Sequence, residues 1–272
     1  DLGVEIKTNS RIGDLGTLFG QGYRAVFLAV GAWVSQKMKV PGEESWGVIH
    51  ALDFLRRVNS GGREKLGKRV AVIGGGNAAI DAARTSLRLG AEEVSVIYRR
   101  SRAEMPADKE EIEQAEQEGV KINMLAAPVA VLAKDGRVTG IRCIRMELGE
   151  ADASGRRRPI PIEGSEFELA VDNVIPAIGQ RVDKAALPEG LEYTDRGTLA
   201  VDPVSQQTNM ANVFAGGDVV RGPADVISAV ADGKEAAISI DLYLSGKDPK
   251  EGRPAKKERV KEVSLAGVEA RA

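Results

Sequence analysis

Val70-Ala71-Val72-Ile73-Gly74-Gly75-Gly76-Asn77-Ala78-Ala79 is the stretch whose reading decides the fold. Four apolar residues read as a buried strand, three glycines as a tight turn, and Asn77 onward as the first turn of a helix. A second apolar run, Val94 to Tyr98, follows at the distance a crossover helix requires and ends at Arg99-Arg100. Strand, glycine turn, helix and strand are the parts of a dinucleotide phosphate site. Gly74 permits the turn out of the strand. Gly76, having no Cβ, lets the backbone approach a pyrophosphate, and Ala79 is small enough for the helix to pack on the strand. The first amides of the helix, from Asn77 and Ala78, then face the phosphates with the positive end of the helix dipole. A glycine-rich βα turn with no ligand is the bland reading, and the surrounding strand-helix-strand context weighs against it.

The end of the second strand selects the cofactor. An Asp or Glu there would accept from the 2′-hydroxyl of NAD, whereas Arg99 and Arg100, with Arg102 just beyond, suit a 2′-phosphate. The expectation is NADP(H), the alternative being a solvated basic turn.

Working outward, the 272 residues suffice for one large or two ordinary domains, and the 43% hydrophobic content supports a buried core. Aromatics are only 4%, so that core is expected to consist of Val, Ile, Leu and Ala. With 38 basic and 40 acidic residues the formal charge is −2, which suggests neither a nucleic-acid partner nor an anionic membrane surface. No apolar stretch approaches bilayer length and no signal peptide opens the chain, so the expected location is cytoplasmic. Cys143 is the sole cysteine and His50 the sole histidine. One cysteine makes no internal redox disulfide and holds no iron–sulfur cluster or zinc, and Cys143 reads as a small core hydrophobe.

Before the glycine turn, Val4-Glu5-Ile6-Lys7 alternates as a strand, Ala25 to Val30 is an apolar strand, and Ala51 to Val58 reads as a helix closed by Asn59-Ser60-Gly61-Gly62. After it, Ala107 to Gln117 reads as a charged helix. Strands are expected near 120–124, 128–134 and 138–147, the last two joined at Asp135-Gly136. Residues 149–165, with Arg156-Arg157-Arg158, read as a polar loop, and Val171 to Ile178 as a strand closed by Gly179-Gln180. Further on, Asn212 to Gly216 is a strand entering the turn Gly217-Asp218, and Asp225 to Leu244 is a helix.

Four of these stretches together carry a family resemblance: Gly74 to Arg84, Tyr98-Arg99-Arg100-Ser101-Arg102-Ala103-Glu104-Met105-Pro106-Ala107, Val174 to Gln180, and Val213-Phe214-Ala215-Gly216-Gly217-Asp218. Over residues 1–246 the chain resembles the small-subunit (β) family of NADPH-dependent glutamate synthase, whose modules recur in dihydropyrimidine dehydrogenase and in electron-bifurcating ferredoxin–NADP oxidoreductases. The resemblance implies an α/β fold. A three-layer, ββα-type Rossmann-like NADP(H) domain over 67–180 would be inserted into a partial FAD-binding domain of the same type. The latter would be formed by 1–66 and 181–246, with 247–272 a flexible tail. It implies an NADPH site at Gly74, Gly75, Gly76, Asn77, Ala78, Arg99, Arg100, Ile178 and Gly179. It implies an FAD site at Val30, Gly31, Gly217, Asp218, Ala224, Asp225 and Val226, with Asp218 accepting from a ribityl hydroxyl. In that family a first FAD glycine turn and iron–sulfur cysteines precede the stretch matching residue 1, and Asp1-Leu2-Gly3 looks like the end of a helix.

The expected function is therefore a flavoprotein oxidoreductase carrying electrons from NADPH through FAD to an iron–sulfur partner or subunit. Neither a side-chain acid nor a base is needed for hydride transfer. The rival is a non-catalytic NADP(H)-binding fragment or structural subunit. A disulfide reductase of thioredoxin-reductase type fails on cysteine count.

Overall fold

The computed structural model describes residues 3–151 and 155–253. The expected helix end at Asp1-Leu2 and most of the expected tail lie outside them. In chain order the elements are α1 (Leu15–Gly20), β1 (Val26–Leu28), β2 (Val34–Ser35), α2 (Ala51–Asn59), β3 (Arg69–Ile73), α3 (Asn77–Arg88), β4 (Glu93–Tyr98), α4 (Lys109–Gln117) and β5 (Lys121–Met124). There follow β6 (Ala126–Lys134), β7 (Arg137–Ala151), β8 (Arg157–Pro161), β9 (Phe167–Leu169), β10 (Asn173–Pro176), β11 (Gln180–Arg181), β12 (Val213–Ala215), α5 (Asp218–Arg221) and α6 (Val226–Leu244). They fall into two compact units: Trp33–Arg181, and the residues up to Ala32 together with those from Val182 onward.

The Trp33–Arg181 unit has three layers. Its parallel sheet runs β10-β3-β4-β5, with Val70 opposite Val94 and Val72 opposite Val96. Because side chains alternate across a strand, β3 feeds two cores. Val70 and Val72 join Ile80, Ala83, Phe54 and Ile112 under the helices. Ala71 and Ile73 join Ile141, Cys143 and Val174 under the antiparallel sheet of β6, β7 and β9. A strand buried on both faces explains why this run is continuously apolar rather than alternating. Cys143 is fully buried and desolvation pushes its thiol up to about 12. Among the described residues, no helix is long and apolar enough to cross a membrane.

Three expectations need correction. Residues 33–66 pack with this unit and not with the flanking segments: α2 contributes Phe54, which is fully buried in the core that includes Val70 and Ile80. The glycine pair at Gly61-Gly62 therefore ends a helix instead of a domain. The region 149–165 is not all loop, since the end of β7 pairs antiparallel with β8 through Met146–Pro161 and Leu148–Pro159. Arginines and prolines hid its strand period, and Pro159 is tolerated because β8 is an edge. The Val4–Lys7 segment is exposed and, among the described residues, pairs with no strand.

In the other unit β1 and β12 form a two-stranded parallel pair, Val26 to Val213 and Leu28 to Ala215. Leu15, Leu28, Leu187, Leu199 and Val219 make its core. Helix α6 is inverted relative to an ordinary surface helix. It buries Ser228, Asp232 and Ser239 while Val226 and Ile227 stand about four-fifths exposed, at 79% and 82%.

Candidate nucleotide sites

In an open parallel sheet, ligands bind beyond the carboxyl ends of the strands where the strand order reverses. Here the order reverses between β3 and β10. The glycine turn leaves β3 at that point, and Ala177-Ile178-Gly179 leaves β10 beside it, with Ala177 N–H donating to the Ile73 carbonyl at 2.7 Å. The structure thus brings Gly74, Gly75, Gly76, Asn77, Ala78, Ile178 and Gly179 to one rim of the sheet.

The three glycines are required for different reasons. Gly74 has φ +144°, and a Cβ there would lie 2.3 Å from the Ala177 carbonyl oxygen. At Gly75 a Cβ would lie 2.5 Å from the Tyr98 ring. Both are excluded by the protein's own packing. Gly76 is not: its φ is −93°, and the nearest atom to an added Cβ is Pro106 Cγ at 3.8 Å. The fold leaves open space where a side chain at 76 would stand, directly before the amides of Asn77 and Ala78. Gly76 is also the N-cap of α3 and offers no side-chain cap, so those first-turn amides are available to an anion.

A loop from Arg99 to Asp108 borders this space. Tyr98 hydroxyl donates to the Glu104 carbonyl at 2.7 Å, Ala107 N–H to the Gly75 carbonyl at 3.2 Å, and Asp108 N–H to Asn77 Oδ1 at 3.0 Å. The Glu104 carboxylate accepts from Ser101 Oγ and from the Ser101 amide, and this pairing holds its carboxyl below the usual range. Sequence reasoning missed Tyr98 and Asp108; the Tyr98-Arg99 junction and the Pro106–Asp108 N-cap were the available signals.

The arginine fork divides. Arg99 is exposed and, among the described residues, its side chain makes no hydrogen bond or ion pair. Arg100 is turned inward at 6% exposure, and its Nε donates to the Arg157 carbonyl at 2.7 Å. Burial and this bond give Arg100 a structural task, a departure from the expected pair of equal phosphate ligands. Arg102 is held by Glu116 at 2.7 Å.

In the other unit, a cleft of about 240 Å³ is lined by Phe27, Ala29, Gly31, Gly216, Gly217, Asp218, Ala224, Asp225, Val226 and Ala229. Six of the seven residues expected to touch FAD are among them. The seventh, Val30, is half-exposed and does not line the cleft. Gly217 sits at φ +73°, a conformation favouring glycine. A Cβ on Gly216 would lie 2.7 Å from the Asp232 side chain and 3.0 Å from the Phe27 ring. Asp232, 1% exposed, accepts from the Gly217 amide at 3.0 Å and pairs with Arg221, whose guanidinium it holds above its ordinary pKa. This buried clamp fixes the turn, and nothing in the spacing announced it. Asp218 Oδ1 accepts from Ala224 N–H at 3.1 Å, and Asp225 caps α6 by accepting from Ser228 N–H at 2.7 Å.

A larger concavity of about 500 Å³ lies at Lys37, Lys39, Glu43 and Glu44. Lys37 pairs there with Glu44 at 2.7 Å, and the Glu43 carboxylate accepts from the Met38 and Lys39 amides. No further function is attached to it.

A parallel-sheet switch point with a glycine turn, and a second strand-turn-acid cleft on a separate unit, define an α/β protein of the two-nucleotide type. The chain belongs to the pyridine nucleotide-disulphide oxidoreductase family, whose model matches residues 4–233. It is 50% identical over 248 residues to the NADP(+)-dependent formate dehydrogenase subunit beta of Moorella thermoacetica, covering 89% of this chain and 35% of that protein. It is 39% identical over 264 residues to the glutamate synthase [NADPH] small chain of Azospirillum brasilense, covering 91% and 55%. The chain thus spans about a third to a half of these relatives. The structure of Mycobacterium tuberculosis FprA in complex with NADPH has the same fold, with a TM-score of 0.71, 22% identity, and coverage of 85% of this chain and 66% of that one.

Proposed function

We propose that the chain is the NADPH-binding part, and one wall of the FAD site, of a flavoprotein oxidoreductase that delivers electrons to an iron–sulfur partner or subunit. The observation that carries this reading is Gly76: the fold itself admits a side chain there, and its absence leaves the space beside the Asn77 and Ala78 amides open to a pyrophosphate. In this reading the Gly76–Ala78 amides hold the pyrophosphate, Arg99 holds the 2′-phosphate, and Ile178-Gly179 flank the nicotinamide half. The Gly217 turn and Asp218 carboxylate face the ribityl chain of FAD, and the α6 N-terminus places its dipole toward the ring. When bound, the nicotinamide and the flavin would supply the hydride-transfer chemistry. The chain's own residues bind, orient and exclude water; no side-chain acid or base is required of them. Cys143, buried and protonated, takes no part. An outside acceptor follows from that lone inert thiol and is supported by relatives named as a subunit and a small chain. A cytoplasmic location goes with this reading.

The test is anaerobic reduction. The chain reconstituted with excess FAD and given NADPH should bleach the flavin absorbance faster than free FAD does with NADPH. Tight NADPH binding with no acceleration would support a non-catalytic binding module instead.

A further inference from the structure

The Arg156-Arg157-Arg158 run has no task in the reading above, yet the fold carries it to the end of β4. The suture is two backbone bonds and one from a side chain. Leu125 N–H donates to the Arg100 carbonyl at 3.2 Å, Met146 N–H to the Leu125 carbonyl at 2.8 Å, and Arg100 Nε to the Arg157 carbonyl at 2.7 Å. Arg100 therefore ties the β7–β8 hairpin to the same strand end that presents Arg99. The Arg157 guanidinium is itself oriented, with Nη2 donating to the Leu148 carbonyl at 2.8 Å and Nε reaching the Gly149 carbonyl at 3.4 Å. Its positive charge is felt by Glu104, in the loop that begins at Arg99.

We propose that the start of β8 forms the second side of the 2′-phosphate site, with Arg157 as a specificity-determining cation beside Arg99 and Arg100 as the residue that positions it. The proposal rests on the NADPH reading and extends it. A pre-oriented guanidinium loses little freedom on meeting a phosphate and adds charge where only NADPH, not NADH, carries one.

The experiment is calorimetric titration of the 272-residue chain and its variants with NADPH and NADH. Arg157→Gln should weaken NADPH about tenfold and leave NADH unchanged, and Arg157→Lys, keeping the charge, should stay within about threefold of the parent. Arg100→Gln should give a similar NADPH-selective loss, and the double variant should lose no more than the larger single one, because both act through one hairpin. Equal weakening of both nucleotides, no effect of Arg157→Gln, or a Lys variant as weak as the Gln variant overturns the proposal. Arg99→Gln separates the levels. If it is NADPH-selective while Arg157→Gln is not, only the hairpin's role fails. If neither is selective, the NADPH reading fails with it.

Discussion

Replacing Gly76 and Gly74 by alanine should separate ligand binding from folding. At Gly76 the new methyl meets nothing nearer than 3.8 Å, and the backbone at φ −93° suits any residue. Losing a glycine N-cap costs about 0.5–1 kcal/mol, and the stiffer unfolded chain returns about 0.4–1 kcal/mol. Net stability should change by less than roughly 0.5 kcal/mol, a Tm shift of about 2 °C or less. At Gly74 the methyl would lie 2.3 Å from a carbonyl oxygen at φ +144°. Strain and clash there should cost about 2–4 kcal/mol, or roughly 5–15 °C in Tm. Binding should follow the opposite order. A methyl at 76 stands in the pyrophosphate path and forfeits about two charge-assisted bonds of roughly 1.5–3 kcal/mol each, a loss of at least about a hundredfold in NADPH affinity. The assays are calorimetric titration and thermal melts on both variants. A Gly76→Ala protein that melts normally and still binds NADPH within tenfold would refute the placement of the phosphate.

Other consequences follow from the same structure. Cys143 should resist thiol reagents in the native state and react at once in denaturant, because its thiol is buried and its pKa raised to about 12; rapid native labelling would contradict that burial. Asp172, paired with Arg69 at 2.9 Å, has its carboxyl held low by that hydrogen bond. The stability it adds is present above the ordinary aspartate value of about 4 and is lost as pH falls through its lowered folded value. Asp172→Asn should therefore lower Tm at neutral pH by the equivalent of about 1 kcal/mol or less, and the gap to the parent should close in acid; a gap that widens would contradict the assignment. The cleft proposed for FAD, about 240 Å³, falls short of the roughly 300–1,000 Å³ typical of ligand sites. The chain should accordingly purify with little FAD, and supplying the N-terminal segment of a longer relative should raise retention; stoichiometric FAD on this chain, measured after denaturation, would be the contrary result.

The glycine turn and its strands were legible because a doubly buried β3 and a small-residue helix leave a strong local pattern. The Asp135-Gly136 hairpin was legible for a similar reason, both residues taking positive φ, 52° and 76°, as a two-residue turn demands. What escaped was decided between distant residues. The place of α2 depends on Phe54 meeting strands that come later in the chain, and β8 exists because β7 offers it an edge. The two arginines after β4 are neighbours of one residue type, and the fold alone separates them: Arg100 is buried with its Nε on the Arg157 carbonyl, while Arg99 is exposed. The Asp232–Arg221 clamp spans eleven residues with no period to mark it.

The most direct test of the central claim is a calorimetric titration of the chain with NADPH and with NADH, repeated on Arg99→Ala. The expected result is one NADPH site, at least about tenfold preference over NADH, and a marked fall in that preference in the variant. Equal affinity for the two nucleotides in the parent, or a preference left unchanged by the loss of Arg99, would contradict it.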